Sequence, residues 1–389
     1  MREEITGKVN AKLKELGFDA LLVFGYHNLQ YLSGAYIHLP QVFPDRYMGL
    51  LWPREDAATC VTPYEWESSF LNLAWVDDTR TYKEEPGDPH SFVGAITRLI
   101  EEKVKAGGKI GVDADRTPLN LYDALEDALT GYELAPCDDV LRELRLKKTP
   151  GELKHMKEVI SKNDHAIAGQ AHHVLVVQAS AEMSNTENLR VHAIERDLDE
   201  VGHHATAQST AGSNTAKWWP GAPMYGIGFD RMPKHHEWMK LELVATVNGY
   251  WSNGARLLTM DDPTETQWAE YKRLVTLRET VRRSLKPGVK ASEVYEAVKA
   301  VAEEEGIAME PNIVLGAGIG VSNYEPPYIS AADETVLEPG MVVVFTPVVH
   351  GANGELLMNK DTFVVTEFGC EVIGWWKDWR EPFIANYTY

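Results

Sequence analysis

KLELVATVNGYWSNGARLLTM, residues 240–260, is the stretch whose reading decides the fold of the larger part of the chain. Two β-rich runs flank Asn248-Gly249, the dipeptide that most strongly favours a two-residue hairpin turn because both positions tolerate positive φ. With those residues as the turn, Val244 faces Asn253 and Glu242 faces Ala255. Side chains alternate along a strand, so Glu242, Val244, Asn253 and Ala255 share one face. Glu242 and Asn253 are then diagonal neighbours, roughly 7–8 Å apart. A carboxylate between Leu241 and Leu243 is either a charge on a sheet edge or an acid set into a pocket, and a buried one needs a partner or a raised pKa.

Outward from this hairpin, the pattern predicts strands at 341–349 and 362–367 and helices at 150–177, 188–202, 263–286 and 291–305, a mixed sheet with several helices. Before Pro150-Gly151 the pattern changes. Residues 4–17 read as a helix ending near Gly17. FDALLVFG at 18–25, the segments 48–52, 57–63 and 109–113, and a helix at 91–106 form an α/β succession. At 389 residues the chain exceeds the size at which a single core stops growing, so two domains are expected, 1–147 and 148–389.

Several segments then resemble, in the same order, the creatinase and aminopeptidase P family, whose catalytic domain has the pita-bread fold. LRLKKTPGELKHM at 144–156 resembles that family's interdomain signature. The hairpin keeps Gly249-Tyr250, with Glu242 where the family has its first metal-binding Asp and Asn253 at the second. GAGIGVSNYEPP at 316–327 resembles the Gly-His-Gly-Ile-Gly to His-Glu-Pro segment, with Ala317 and Tyr324 in place of the two His. In LEPGMVVVFTPVV at 337–349 Thr346 replaces a ligand Glu, and in LLMNKDTFVVTEFG at 356–369 Asn359 is read at the position of the bridging Glu. The resemblance implies an α/β (α+β) protein, an N-terminal creatinase-like α/β domain followed by a C-terminal pita-bread domain. One Glu with neutral residues at the other ligand positions cannot hold a pair of divalent ions, so no metal and no other cofactor is expected.

Metal-free members of the family are the nearer guide. AGSNTAKWWPG at 211–221 resembles the segment that carries creatinase's catalytic His, with Trp218 or Trp219 in its place. Ectoine hydrolase is closer in pattern, through Glu242, the Val321-Ser322-Asn323-Tyr324 run with Pro326-Pro327, and Thr346; there the Glu is understood to open a cyclic amidine as nucleophile. Carried over, this implies a hydrolase of a C–N bond in a small zwitterionic nitrogen compound. Glu242 is its nucleophile or general base, with Tyr324 and Thr346 catalytic beside it. Asn253, Glu325, Asn359, Trp218 and Trp219 are read as substrate-binding. No general acid emerges from the motif positions. A lyase acting on a betaine or sulfonium compound and an inactive binding module are the alternatives, and the second has no need of an acid at the pocket floor.

IHLPQVFPDRYMG at 37–49 resembles a creatinase loop that enters the neighbouring subunit's site. Phe43 and Arg46 would bind substrate there in an obligatory homodimer, with His38 a candidate proton donor, the other reading being an ordinary surface loop. Trp218, Trp219, Tyr225, Trp238, Trp251 and Tyr324 form either a cage for a cationic ligand or simply core. The doublets His172-His173, His203-His204 and His235-His236 invite a metal reading, but adjacent residues rarely converge on one ion.

Composition narrows the partners. The net charge is -20 and no Lys/Arg cluster stands out, so a nucleic-acid partner is not expected. Cys60, Cys137 and Cys370 lack any ligand spacing and cannot all pair within one chain. The N-terminal segment is an amphipathic charged helix without an apolar core, and no window approaches a membrane span. A cytoplasmic protein, without a membrane partner, is the expectation.

Overall fold

The structure is a computed structural model that describes residues 1–37, 39–83, 89–173, 204–216, 234–311, 314–375 and 379–384. The chain divides into two compact units, Met1–Arg145 and Leu146–Tyr389.

The first unit is built on one six-stranded sheet. Its strands are β1 (Ala20–Val23), β2 (Gly49–Pro53), β3 (Thr59–Pro63), β4 (Asp78–Tyr82), β5 (Lys109–Val112) and β6 (Glu133–Pro136), in the order β4-β3-β2-β1-β5-β6. β1, at the centre, is buried along its whole length, as a continuous apolar run in a sheet covered on both faces should be. The first helix, Arg2–Leu16, ends where Gly17 takes φ 71, a left-handed cap that glycine adopts without strain. β4 and β6 are too polar on their exposed sides to read as buried strands, and the sequence pattern passes over both.

Asp113, directly after β5, is fully buried and accepts from the Phe24 and Gly25 amides at 2.9 and 2.8 Å and from Asn28 Nδ2 at 2.8 Å. It thereby holds the entry to the helix Tyr26–Ser33. Burial outweighs these bonds and pushes the carboxyl up to about 6. A carboxyl whose folded pKa lies above its unfolded value binds more protons in the folded state between those pKa values. Its contribution is full below about pH 4 and is lost as pH rises through about 6. In Asp113→Asn, the stability deficit against the parent should therefore narrow by up to about 3 kcal/mol between pH 4 and pH 7. Denaturant melts at both pH values check this, and a deficit independent of pH would contradict it.

The second unit holds the hairpin. β7 (His204–Ala211), β8 (Met239–Val247) and β9 (Tyr250–Thr259) form a sheet with the short β17 (Phe383–Ile384) in the order β17-β9-β8-β7. The register is the one read from Asn248-Gly249: Val244 faces Asn253 and Glu242 faces Ala255. Both turn residues have positive φ, 47 and 72. Leu241, Leu243 and Ala245 turn one face of β8 towards the helix Pro150–His173, packing with Val159, Ala166 and Ile167.

A second sheet has the order β11-β10-β12-β15-β16, with β10 (Gly316–Gly318), β11 (Glu325–Ile329), β12 (Val342–Phe345), β15 (Asp361–Val365) and β16 (Cys370–Ile373); β13 (Val348–His350) pairs with β14 (Leu356–Met358). The strand expected at 341–349 is thus two strands. Pro347 has no amide to offer a ladder, and the Thr346 amide turns to Leu315 O at 2.7 Å. The helices Glu265–Ser284 and Ala291–Glu304 supply Tyr271, Leu274, Val294 and Val298 to the core with Phe345 and Phe363. The helix expected at 188–202 lies outside the described residues.

Candidate active site

β8 is paired on both sides, by β7 and by β9, and Glu242 is 0% exposed. That removes the sheet-edge reading: Glu242 is an acid in the interior, on the face opposite the apolar one. Its partner is Lys360, which follows β14 and precedes β15. The Lys360 ammonium donates to Glu242 Oε1 and, at 2.6 Å, to Asn253 Oδ1. Asn253 in turn donates from Nδ2 to Asn323 Oδ1 at 3.1 Å. Lys240, two residues before Glu242 and on the same face, places its Nζ 4.0 Å from Glu242 Oε2. Burial pushes the Lys240 ammonium down, against the attraction of Glu242 and with the help of the Lys360 charge. One carboxylate and two amines thus share a site from which water is nearly excluded.

The backbone explains how Lys360 arrives. Its amide donates to Ala255 O at 3.1 Å, and Ala255 is the residue opposite Glu242 on the hairpin. Its carbonyl accepts from the Arg256 guanidinium. The next residue, Asp361, accepts from Arg278, from Trp379 Nε1 at 2.8 Å and from Arg256 at 3.4 Å. Arg256 also lies 3.6 Å from Asp164 on the helix Pro150–His173.

The expected residues divide. Glu242 and Asn253 meet as the register requires, joined through Lys360. Asn359, expected beside Glu242, is spent on the hairpin backbone: its Oδ1 accepts from the Leu257 amide at 2.7 Å, and its neighbour Lys360 is the residue that faces the acid. Glu325, expected to bind substrate, is buried in an ion pair with Lys148 at 3.0 Å. Lys148 belongs to the segment 144–156, and Glu152 from the same segment accepts from the Tyr250 hydroxyl at 3.0 Å, so that signature braces the hairpin. Tyr324 is 57% exposed and packs against Tyr328 with ring centroids 5.1 Å apart and the rings tilted by 33°. Thr346 is half-buried, with its amide bonded to Leu315.

Phe43 is exposed, while Arg46 pairs with Glu65 at 2.8 Å and lies 4.8 Å over the Trp66 ring. Trp238 belongs to the core rather than to a cage: it is fully buried, stacks on Tyr271 and donates to Glu270 at 2.7 Å. Trp218, Trp219, Tyr225 and His38 lie outside the described residues. His235 is on the surface beside Asp261.

Lys240 and Lys360 went unread in the sequence. The signal for Lys240 was available, since a Lys two positions from Glu242 in an apolar strand must share its face. Lys360 carried only the weaker sign of a Lys between two apolar strand segments.

This donor set does not suit a divalent metal pair. Among the described residues no three His, Cys, Asp or Glu side chains come close enough to hold an ion. The one carboxylate at the hairpin already carries the Lys360 ammonium, whose charge repels a divalent cation.

Residues 155–367 match the family described as metallopeptidase family M24, and residues 6–147 match the creatinase/prolidase N-terminal domain. Among curated proteins, the chain is 23% identical to a Xaa-Pro dipeptidase of Pyrococcus horikoshii, covering 93% of this chain and 96% of that one. It is 24% identical to the creatinase of a Bacillus species, covering 96% and 90%. Among solved structures, an X-Pro aminopeptidase from Thermotoga maritima superposes with a TM-score of 0.80 at 18% identity, over 97% of this chain and 99% of that one.

Proposed function

The chain belongs to metallopeptidase family M24, with a creatinase/prolidase N-terminal domain before it, and from that premise we propose that it is a hydrolase that opens a C–N bond without a metal ion. Its substrate class is a small zwitterionic nitrogen compound, a cyclic amidine, guanidino compound or amide. The observation that supports this reading is the pairing of a fully buried Glu242 with Lys360 on the hairpin where the family resemblance places metal ligands. A carboxylate held in this way can add to an electrophilic amidine or amide carbon, and water can then resolve the acyl intermediate.

Thr346 and Tyr324 supply hydrogen bonds to the substrate in this reading, and Phe43 and Arg46 serve the neighbouring subunit of a homodimer. Among its contacts, Arg46 makes a partly exposed ion pair with Glu65 and lies over the Trp66 ring. An ion pair of this kind is worth about 0–1 kcal/mol, so exchanging the Glu65 carboxylate for a substrate carboxylate costs little. Neither a nucleic acid nor a membrane is a partner in this reading, and none of the described helices is long and apolar enough to cross a bilayer.

The test is to incubate chelator-treated protein with ectoine, creatine, N-acetyldiaminobutyrate, Xaa-Pro dipeptides and dimethylsulfoniopropionate, following products by mass spectrometry. Turnover of a C–N substrate that survives chelation is the expected result. Activity that returns only on adding Mn, Co or Zn ions sinks the metal-free reading, and cleavage of the sulfonium compound alone points to a lyase.

A further inference from the structure

Resting on that reading, we propose that Lys360 is the proton donor to the leaving nitrogen, the acid that the motif positions do not provide. An ammonium has three N–H groups and no acceptor. Two of Lys360's go to Glu242 Oε1 and Asn253 Oδ1. The third has no acceptor among the described residues, on a side chain that is 1% exposed. A buried donor left without a partner is costly, and a substrate nitrogen brought to Glu242 satisfies it. The ammonium is also adjacent to the attacking oxygen, so one side chain serves both ends of the bond being exchanged. Lys240 suits the role less well, because burial favours its neutral form and its Nζ lies 4.0 Å from the acid rather than in hydrogen-bond contact with it.

The step balances as follows. A Glu242 oxygen forms a bond to the substrate carbon; the C–N bond breaks, its electron pair stays on nitrogen, and nitrogen takes a proton from Lys360, leaving a neutral amine. Water then adds to the acyl carbon, gives a proton to the Lys360 amine, and the bond from carbon to the Glu242 oxygen breaks. Carboxylate and ammonium are both restored.

The experiment compares the parent, Lys360→Ala and Lys360→Arg on a C–N substrate the parent turns over, with and without added methylamine. Lys360→Ala removes the charge that helps push the Lys240 ammonium down, so that Lys240 holds its proton against Glu242, and Lys360→Arg keeps the buried ion pair but carries a guanidinium that does not give up its proton. Turnover should fall by about 10²–10⁴-fold in both, the range of a lost general acid. Methylamine should restore Lys360→Ala in proportion to its concentration and leave Lys360→Arg unchanged. The proposal is overturned if either variant stays within about 5-fold of the parent, or if a Lys360→Ala protein that melts cooperatively is not restored. Those outcomes leave Glu242 as nucleophile intact, whereas a parent inactive towards every C–N substrate overturns the underlying reading and this proposal with it.

Discussion

Glu242→Gln is expected to lower turnover of the C–N substrate by on the order of 10⁴-fold or more, since it removes the attacking oxygen along with its charge. It also leaves two amines facing a neutral amide inside a site where Glu242 is 0% exposed and Lys360 1%. Breaking a buried pair in this way costs about 3–5 kcal/mol, unless an amine gives up its proton first. The activity loss must therefore be separated from a folding loss. The double variant Glu242→Gln with Lys360→Met removes carboxylate and ammonium together, and replacing both partners is far milder than stranding one. Its melting temperature should lie above that of Glu242→Gln alone, while turnover stays abolished. If both proteins melt like the parent and Glu242→Gln keeps more than about a tenth of the activity, Glu242 is neither nucleophile nor general base.

Asp361→Leu carries an expected loss of stability as large as that of Glu242→Gln. Asp361 is the shared anion for Arg278 and Arg256 and accepts from Trp379 Nε1, all of them buried. With Leu in its place two guanidinium groups lose their main anion in the interior. The cost should be about 3–5 kcal/mol, roughly 6–20 °C in melting temperature for a unit of this size. By contrast, Glu338→Gln weakens a surface pair with Lys147 in which the two side chains are 54% and 49% exposed, and should cost no more than about 1 kcal/mol. Because Asp361 directly follows Lys360, the Leu variant should lose activity at temperatures where it is still folded. Thermal melts of the two variants side by side decide the matter, and a difference under about 1 kcal/mol would falsify the account of Asp361 as the charge centre of this unit.

The part of the fold legible in the sequence is the part governed by short-range chemistry. Asn248-Gly249 specifies a turn whose dihedrals few other pairs tolerate, and from that turn the register of β8 and β9 and the shared face of Glu242 and Asn253 follow by counting. Gly17 ends its helix for a similar reason. The failures were local as well: Pro347 cut an expected strand in two, and one residue of offset after Met358 put Asn359 where Lys360 stands. In a strand such an offset exchanges the two faces, so Asn359 bonds to the hairpin backbone while Lys360 reaches the acid.

The sequence by itself determined the family, the two-part architecture and the presence of an acid on the hairpin face it shares with Asn253. Which charge answers that acid was decided only by the tertiary structure. Lys360 lies 118 residues from Glu242 along the chain, and no periodicity links them. They meet because the Lys360 amide bridges to Ala255, opposite Glu242 on the hairpin. Once both side chains are out of water, each is tolerable only in the presence of the other.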